Sequence, residues 1–295
     1  MNEIKTNLPL IGFWETRQGG RNENQDSCDS IETPYGQLII VCDGMGGGPA
    51  GRLASTSAIQ RIKEFLLQYM PEQQEKRSEI LCKAINAAHK RILELVDEDI
   101  ARRGMGTTVA AVLVNEQCAI LAHVGDTRIY QYRGKDKIFR TQDHSMVGEL
   151  VRNGTLTEEQ ARLSTQSNLI TRALGSKDSR IDVDILTYNC HDRFMLCSDG
   201  VWGMFPEKEL IYRTTQKVPL EDIVSSIAED TDYQGQKKGG RHDNLTIAMF
   251  ETLSDSQMRQ KFRFKWNWII MIVAVFLIIL TGAIWYMVKF NGFIH

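Results

Sequence analysis

The chain has 295 residues, of which 42% are apolar and 24% charged, the balance of one large domain or two small ones with a full-sized core. A formal net charge of −2 excludes the strong positive field by which a nucleic-acid binder collects phosphates. Six cysteines, at 28, 42, 82, 118, 190 and 197, include no Cys-x-x-Cys pair, so they read as reduced thiols rather than a disulfide frame or a zinc site.

Residues 10–16 (LIGFWET) read as a first strand and 37–43 as a second, an apolar run closed by Asp43. A glycine cluster follows: Gly44, Gly46, Gly47, Gly48 and Gly51. It fits neither common nucleotide loop. A dinucleotide fingerprint from Gly44 needs glycine where Pro49 stands, and no Gly-Lys-Ser/Thr closes a P-loop. Apolar residues at helical spacing predict amphipathic helices over 53–69 and 80–96. Strands follow at 108–114, 118–124 and 128–133, then a polar, helix-rich stretch at 145–175. Strands resume at 181–186 and 193–198; helices are predicted near 206–215 and 219–230, a Gly/Lys-rich loop at 234–241, and a last strand at 245–251. This order lacks strict βαβ alternation and suits antiparallel sheets with helices packed outside them.

Residues 268–288 (WIIMIVAVFLIILTGAIWYMV) carry no charge; Trp266 and Trp268 mark one interface and Trp285 with Tyr286 the other. About 20 such residues span a hydrocarbon core of roughly 30 Å. Arg259, Lys261, Arg263 and Lys265 precede the span and only Lys289 lies just after it, which places the N-terminal part in the cytoplasm. The expected organisation is a catalytic domain at 1–252, a basic juxtamembrane linker at 253–267, a transmembrane helix at 268–288 and a short extracytoplasmic tail at 289–295. The expected location is the inner (cytoplasmic) membrane, crossed once.

Several aspartates share one placement. Asp43-Gly44 and Asp199-Gly200 follow apolar strands, Asp126 follows another in HVGD, Asp243-Asn244 precedes the last strand, and Asp26 stands ahead of 37–43. A lone Asp-Gly is ordinarily a turn. The same device at separate strand ends instead aims carboxylates at a shared point, where only a positive charge lets them crowd. Oxygen donors without cysteine or histidine indicate Mg²⁺ or Mn²⁺. Gly44 could add its carbonyl, and its missing side chain would make room for the ion. His123, His144 and His242 read as satisfied structural histidines, and His89 as a residue on a helix surface.

The set RNENQD (21–26), VCDGMGG (41–47), GMGTT (104–108), HVGDTRIY (123–130), DHS (143–145), ITRALG (170–175), SDGVW (198–202) and HDNLT (242–246) resembles the bacterial metal-dependent protein phosphatases of the protein phosphatase 2C type, in the family's order and over roughly residues 12–251. The resemblance implies an α+β fold, a four-layer α-β-β-α sandwich of two antiparallel sheets. It implies a serine/threonine phosphoprotein phosphatase in which metal-activated water attacks the phosphate directly. By similarity Asp43 bridges two Mn²⁺ or Mg²⁺ ions with the Gly44 carbonyl on one, Asp199 and Asp243 complete the other, Asp126 holds a looser third, Asp26 holds metal-bound waters, and Arg21 grips the substrate phosphate. The catalytic set is Arg21, Asp26 and Asp43, and the implied partners are a phosphoserine or phosphothreonine protein and a cognate Ser/Thr kinase at the membrane. Three departures stand out: Gln25 for the family's glutamate, Met45 where eukaryotic relatives carry a histidine, and Ser164 to Asn168 in a stretch tied to substrate choice. The competing readings are an inactive phosphopeptide-binding scaffold and a phosphatase of small phosphoesters.

Overall fold

Alternation along the central strands decides the layering. Leu38, Ile40 and Cys42 pack on one side, against Ala54, Ile62, Ile85 and Ile92 of two helices. Ile39 and Val41 point the other way, to Ile129, Phe194, Leu196 and Phe250 of a second sheet. Successive side chains leave opposite faces of a strand, so a strand covered on both faces reads as unbroken apolar sequence.

The structure is a computed structural model describing residues 1–47, 49–72, 74–166 and 169–254; the unit considered below is Met1–Thr252. Its first half contains β1 (Asn2–Glu3), β2 (Leu10–Arg17), β3 (Asp26–Thr33), β4 (Gly36–Met45), α1 (Ala50–Gln68) and α2 (Arg77–Glu98). Next come β5 (Gly106–Thr107), β6 (Val109–Val114), β7 (Ala119–Val124), β8 (Arg128–Arg133) and β9 (Asp136–Arg140). The remainder is α3 (Met146–Arg152), α4 (Glu158–Arg162), β10 (Asp182–Leu186), β11 (Arg193–Cys197), α5 (Asp199–Trp202), α6 (Glu207–Thr214), α7 (Leu220–Lys237) and β12 (Leu245–Thr252).

One sheet has the order β1-β2-β12-β11-β8-β9; the other runs β10-β7-β6-β4-β3, with β5 paired to β4. All pairings are antiparallel. α1 and α2 cover the second sheet, and α5, α6 and α7 cover the first through Val201, Leu210, Val224 and Ile227. The expected four-layer sandwich is present, and the cysteines are free.

The sequence reading needs five corrections. Asp26 does not merely stand ahead of the 37–43 strand but opens a strand of its own, β3, whose sequence DSCDSIET is too polar to read as a strand and forms one by pairing with β4. β9 was not expected, being a short, largely exposed edge strand. β4 does not end at Asp43 but runs through Gly44 to Met45, with Gly44 opposite Thr107. Residues 234–237 are helix rather than loop. A Cβ on Gly235 would sit 2.1 Å from the His242 ring, so that glycine lets α7 pass the imidazole. His89 is half-buried and its Nδ1 accepts from the Gly175 amide at 3.0 Å. The span at 268–288, the basic stretch before it and the tail lie outside the described residues. Among the described residues no helix is long and apolar enough to cross a membrane.

Candidate metal centre

Strand register brings the first two carboxylates together. β3 and β4 pair so that Asp26 lies opposite Asp43, a placement that puts Cβ atoms about 5 Å apart and is unfavourable for like charges. Asp43 is fixed by its backbone. Its amide donates to Thr108 Oγ1 at 2.9 Å, and its carbonyl accepts from Thr107 Oγ1 at 2.9 Å and the Thr108 amide at 2.8 Å. Asp26 is buried, and its Oδ2 accepts from Ser198 Oγ at 2.7 Å.

Ser198 links the two sheets' contributions. It precedes Asp199, and its Oγ also accepts from the Thr246 amide at 3.0 Å. Gly200 lies so close to β12 that a Cβ would meet the Asn244 carbonyl at 1.9 Å, which draws Asp199 beside Asp243. Asp126 enters after Gly125, whose φ of +107° only glycine adopts readily. The Asp126 carbonyl accepts from Trp202 Nε1 at 3.0 Å. The Trp202 ring lies 3.7 Å beneath the Arg128 guanidinium, which makes a buried two-bond pair with Asp143 at 2.9 and 2.7 Å.

The electrostatics show carboxylates in want of a counter-charge. Burial pushes Asp26 up to about 6, with hydrogen bonds from Ser198 and Thr246 pulling the other way. Burial pushes Asp126 up to about 7, Asp143 adding to the rise and Arg128 opposing it. Asp43 is held well above the usual carboxylate range by burial, then by Asp26, Asp199, Asp126 and Asp243. Asp199 is raised likewise, by burial, then by Asp126, Asp243 and Asp26. Both Asp126 carboxylate oxygens and Asp199 Oδ1 are buried without a hydrogen-bond partner. Such atoms are expensive to bury. An all-oxygen donor set with unsatisfied atoms fits a hard divalent cation.

Arg21 also reaches the cluster. Its Nη2 donates to Asp243 Oδ2 at 2.6 Å from a half-exposed side chain. That contact, more than any other, holds the guanidinium's affinity for its proton above the ordinary value.

The missing Cβ of Gly44 makes room for backbone: a Cβ would sit 2.1 Å from the Gly51 carbonyl and 2.7 Å from that of Gln25. Gly51 is tight in turn against Gln25 and Gly44. β4, the first turn of α1 and the 18–25 loop therefore interlock at a point where only glycines fit.

Of the histidines near the motifs, His123 and His144 are hydrogen-bonded as expected, His123 Nε2 to the Gln142 carbonyl at 2.9 Å, whereas His242 has its Nδ1 buried without a partner. His123, His144 and Asp182 bring potential ligand atoms within 4.8 Å of one another. His144 is nevertheless engaged on both nitrogens: Nδ1 accepts from the Gly125 amide at 3.1 Å and Nε2 pairs with Asp182 at 3.0 Å, with Arg172 at 3.2 Å. A cationic guanidinium there works against a metal. Burial and the stacked His123 ring push His144 down to about 4, so it stays neutral and clasps the turn that presents Asp126. His242 Nε2 pairs with Asp232 at 2.7 Å.

Sequence reasoning did not single out Thr107, Thr108, Ser198, Trp202 or Asn244. Asn244 Nδ2 donates to the Gln18 and Glu23 carbonyls at 2.7 and 2.9 Å, and its Oδ1 accepts from the Gln25 amide at 2.8 Å. It shapes the loop that carries Arg21. The available signal was adjacency, since Ser198 and Asn244 each neighbour a motif aspartate.

Comparison with known proteins agrees with this architecture. The family model described as Protein phosphatase 2C matches residues 17–263. Protein phosphatase PhpP of Streptococcus pneumoniae is 32% identical over 231 residues, covering 78% of this chain and 92% of that protein. The structure of the S. agalactiae serine/threonine phosphatase superposes with a TM-score of 0.72 at 31% identity, covering 82% of this chain and 99% of that one. The catalytic domain of the serine/threonine protein phosphatase PstP, in complex with two manganese ions, gives 0.70 at 27% identity, covering 83% and 99%. Matched over most of its length in sequence and in fold, the chain belongs to the protein phosphatase 2C family.

Proposed function

We propose that the chain is a metal-dependent protein serine/threonine phosphatase working at the aspartate centre. The observation that carries the reading is the set of buried, partnerless oxygens on Asp126 and Asp199 beside Asp43 and Asp26. The names of the similar proteins, serine/threonine and protein phosphatases, support the substrate class, and the manganese-bound relative supports Mn²⁺ or Mg²⁺. In this reading Asp43 and the Gly44 carbonyl, with Asp199 and Asp243, hold two ions; Asp126 holds a looser third; Asp26 orients water. Such ions, when bound, lower the pKa of a water and offset phosphate charge.

The chain's own groups do the rest. Arg21 presents a planar fork suited to two phosphate oxygens, and to do so it exchanges Asp243 for the substrate. The Ser198 hydroxyl keeps Asp26 Oδ2 turned into the cluster. No residue need be phosphorylated. Burial pushes the nearby Cys197 thiol up to about 12 and raises Cys42 as well, so neither offers a thiolate. Met45 carries no transferable proton, and the leaving serine or threonine oxygen takes its proton from another acid.

The uncharged run at 268–288 behind a basic stretch supports a single-pass anchor with the catalytic domain in the cytoplasm. A substrate at the same membrane, the target of a cognate kinase, then gains effective concentration without new contacts. The test is hydrolysis of a phosphothreonine peptide by the full chain, with Mn²⁺, with EDTA, and in Asp43→Asn. Turnover should require Mn²⁺ and vanish in the variant. Turnover that survives EDTA or the substitution overturns the reading.

A further inference from the structure

Asp26 faces two ways. Besides belonging to the metal centre, it lines one end of an open groove of about 930 Å³. The floor is the outer edge of β3, Trp14 and Thr16 of β2 form one wall, and α1 forms the other. β3 ends its sheet, and among the described residues its strand partner is β4. An edge strand offers backbone groups to whatever lies beside it.

The α1 wall is a single stripe: Arg52, Thr56, Lys63 and Leu67 recur at helical spacing and all line the groove. Lys63 is tied to Asp29, and Glu23, Asp26 and Glu64 also line the groove, so Arg52 is the one lining cation outside a short ion pair in an otherwise acidic wall. Its place is unfavourable for the helix itself. The first turn of α1 contains no acidic residue, and a cation there opposes the macrodipole. Its contact with Glu23 is long, 3.6 Å, from a side chain 62% exposed, a geometry that contributes little. It follows Gly51, which packs on Gln25 beside Asp26, so it stands at the groove end nearest the carboxylates.

We propose that this groove receives the extended polypeptide segment flanking the substrate's phosphoresidue, laid along β3, and that Arg52 selects an acidic side chain close to that phosphoresidue. The proposal rests on the phosphatase reading above and names how its substrate is held. Four residues of β3, Asp26 to Asp29, line the groove and at about 3.3 Å each give a track of roughly 13 Å that begins at Asp26. The Asp26 and Ser30 amides are bonded to the Asn24 and Asp29 side chains, so a chain entering the metal centre follows the strand through its remaining backbone groups and the α1 wall. Phosphate and flanking sequence are thereby read separately, by Arg21 and by Arg52.

The test compares p-nitrophenyl phosphate with two phosphothreonine peptides of equal length, one acidic and one lysine-bearing beside the phosphoresidue, using the full chain with Mn²⁺. The wild type should favour the acidic peptide in KM by roughly five-fold, the size of one exposed charge pair. Arg52→Glu should reverse the preference. Thr56→Trp, an exposed position, should raise KM for both peptides. Neither variant should change kcat/KM for p-nitrophenyl phosphate. Equal treatment of the two peptides by the wild type, or equal effects of the variants on peptides and p-nitrophenyl phosphate, overturns the groove. Failure of the wild type to hydrolyse any of the three overturns the phosphatase reading and the groove with it.

Discussion

Replacing Asp126 by asparagine is expected to stabilise the metal-free protein, although it removes a residue of the centre. The side chain is buried, both its oxygens lack partners, and its carboxyl is pushed up to about 7. An unstructured aspartate titrates near 3.9. The gap of roughly three pH units, at about 1.4 kcal/mol each, makes the ionised group cost about 4 kcal/mol when the pH lies above both values. Asparagine removes that charge but leaves an amide in the same partnerless space, at about 1–3 kcal/mol. The net gain of roughly 1–3 kcal/mol corresponds to about 3–10 °C in Tm for a domain of this size. The sign follows from linkage. The folded state binds this proton more tightly than the unfolded state, so the penalty is absent below about pH 4, grows through about pH 7 and is complete above it. Thermal melts in EDTA should therefore show the variant ahead at about pH 8 and the advantage shrinking toward pH 5. A variant less stable than wild type at about pH 8, or an advantage that does not change with pH, refutes the reasoning.

Other outcomes follow from the same geometry. Gly44→Ala should destabilise the domain by at least about 3 kcal/mol, because the added Cβ meets backbone at 2.1 Å and no rotamer relieves it; a denaturation midpoint within error of wild type contradicts the interlock. Arg21→Ala should raise KM for phosphopeptides by roughly ten-fold or more, one lost charge-assisted hydrogen bond, while Mn²⁺ affinity does not fall, since a cation leaves Asp243; a variant with ordinary KM removes Arg21 from substrate binding. Deleting residues 260–295 should leave hydrolysis of a soluble phosphopeptide intact and release the protein from sedimented membranes. Loss of that activity argues against a modular anchor.

The sequence carried the fold where burial is strong and two-sided. The run at 37–42 read as a strand because Leu38 and Ile40 face helices while Ile39 and Val41 face the other sheet. β3 and β9 escaped because an edge strand has few apolar residues to show, and their pairing is set by β4 and β8. The aspartates were legible as a group through their repeated placement at strand ends. Their neighbours were not. Ser198 matters because its hydroxyl reaches Asp26 across 172 positions, and Asn244 because it bonds three backbone groups between Gln18 and Gln25. Long-range hydrogen bonds of that kind leave no periodicity. The glycines at 44 and 51 were legible as a cluster, but not the close approach of chain to chain that they permit, since it joins β4, α1 and the 18–25 loop through the fold.

The most direct test of the shared centre is a calorimetric titration of Mn²⁺ into chelator-treated protein near pH 7, repeated in buffers of different ionisation enthalpy. Two sites should fill, with protons released as carboxyls held above the usual range by burial and by one another, Asp43 and Asp199, give them up to the metal. Asp43→Asn should abolish at least one site. Absence of binding, or binding without proton release and unaffected by that substitution, would contradict the assignment of these aspartates to a metal centre.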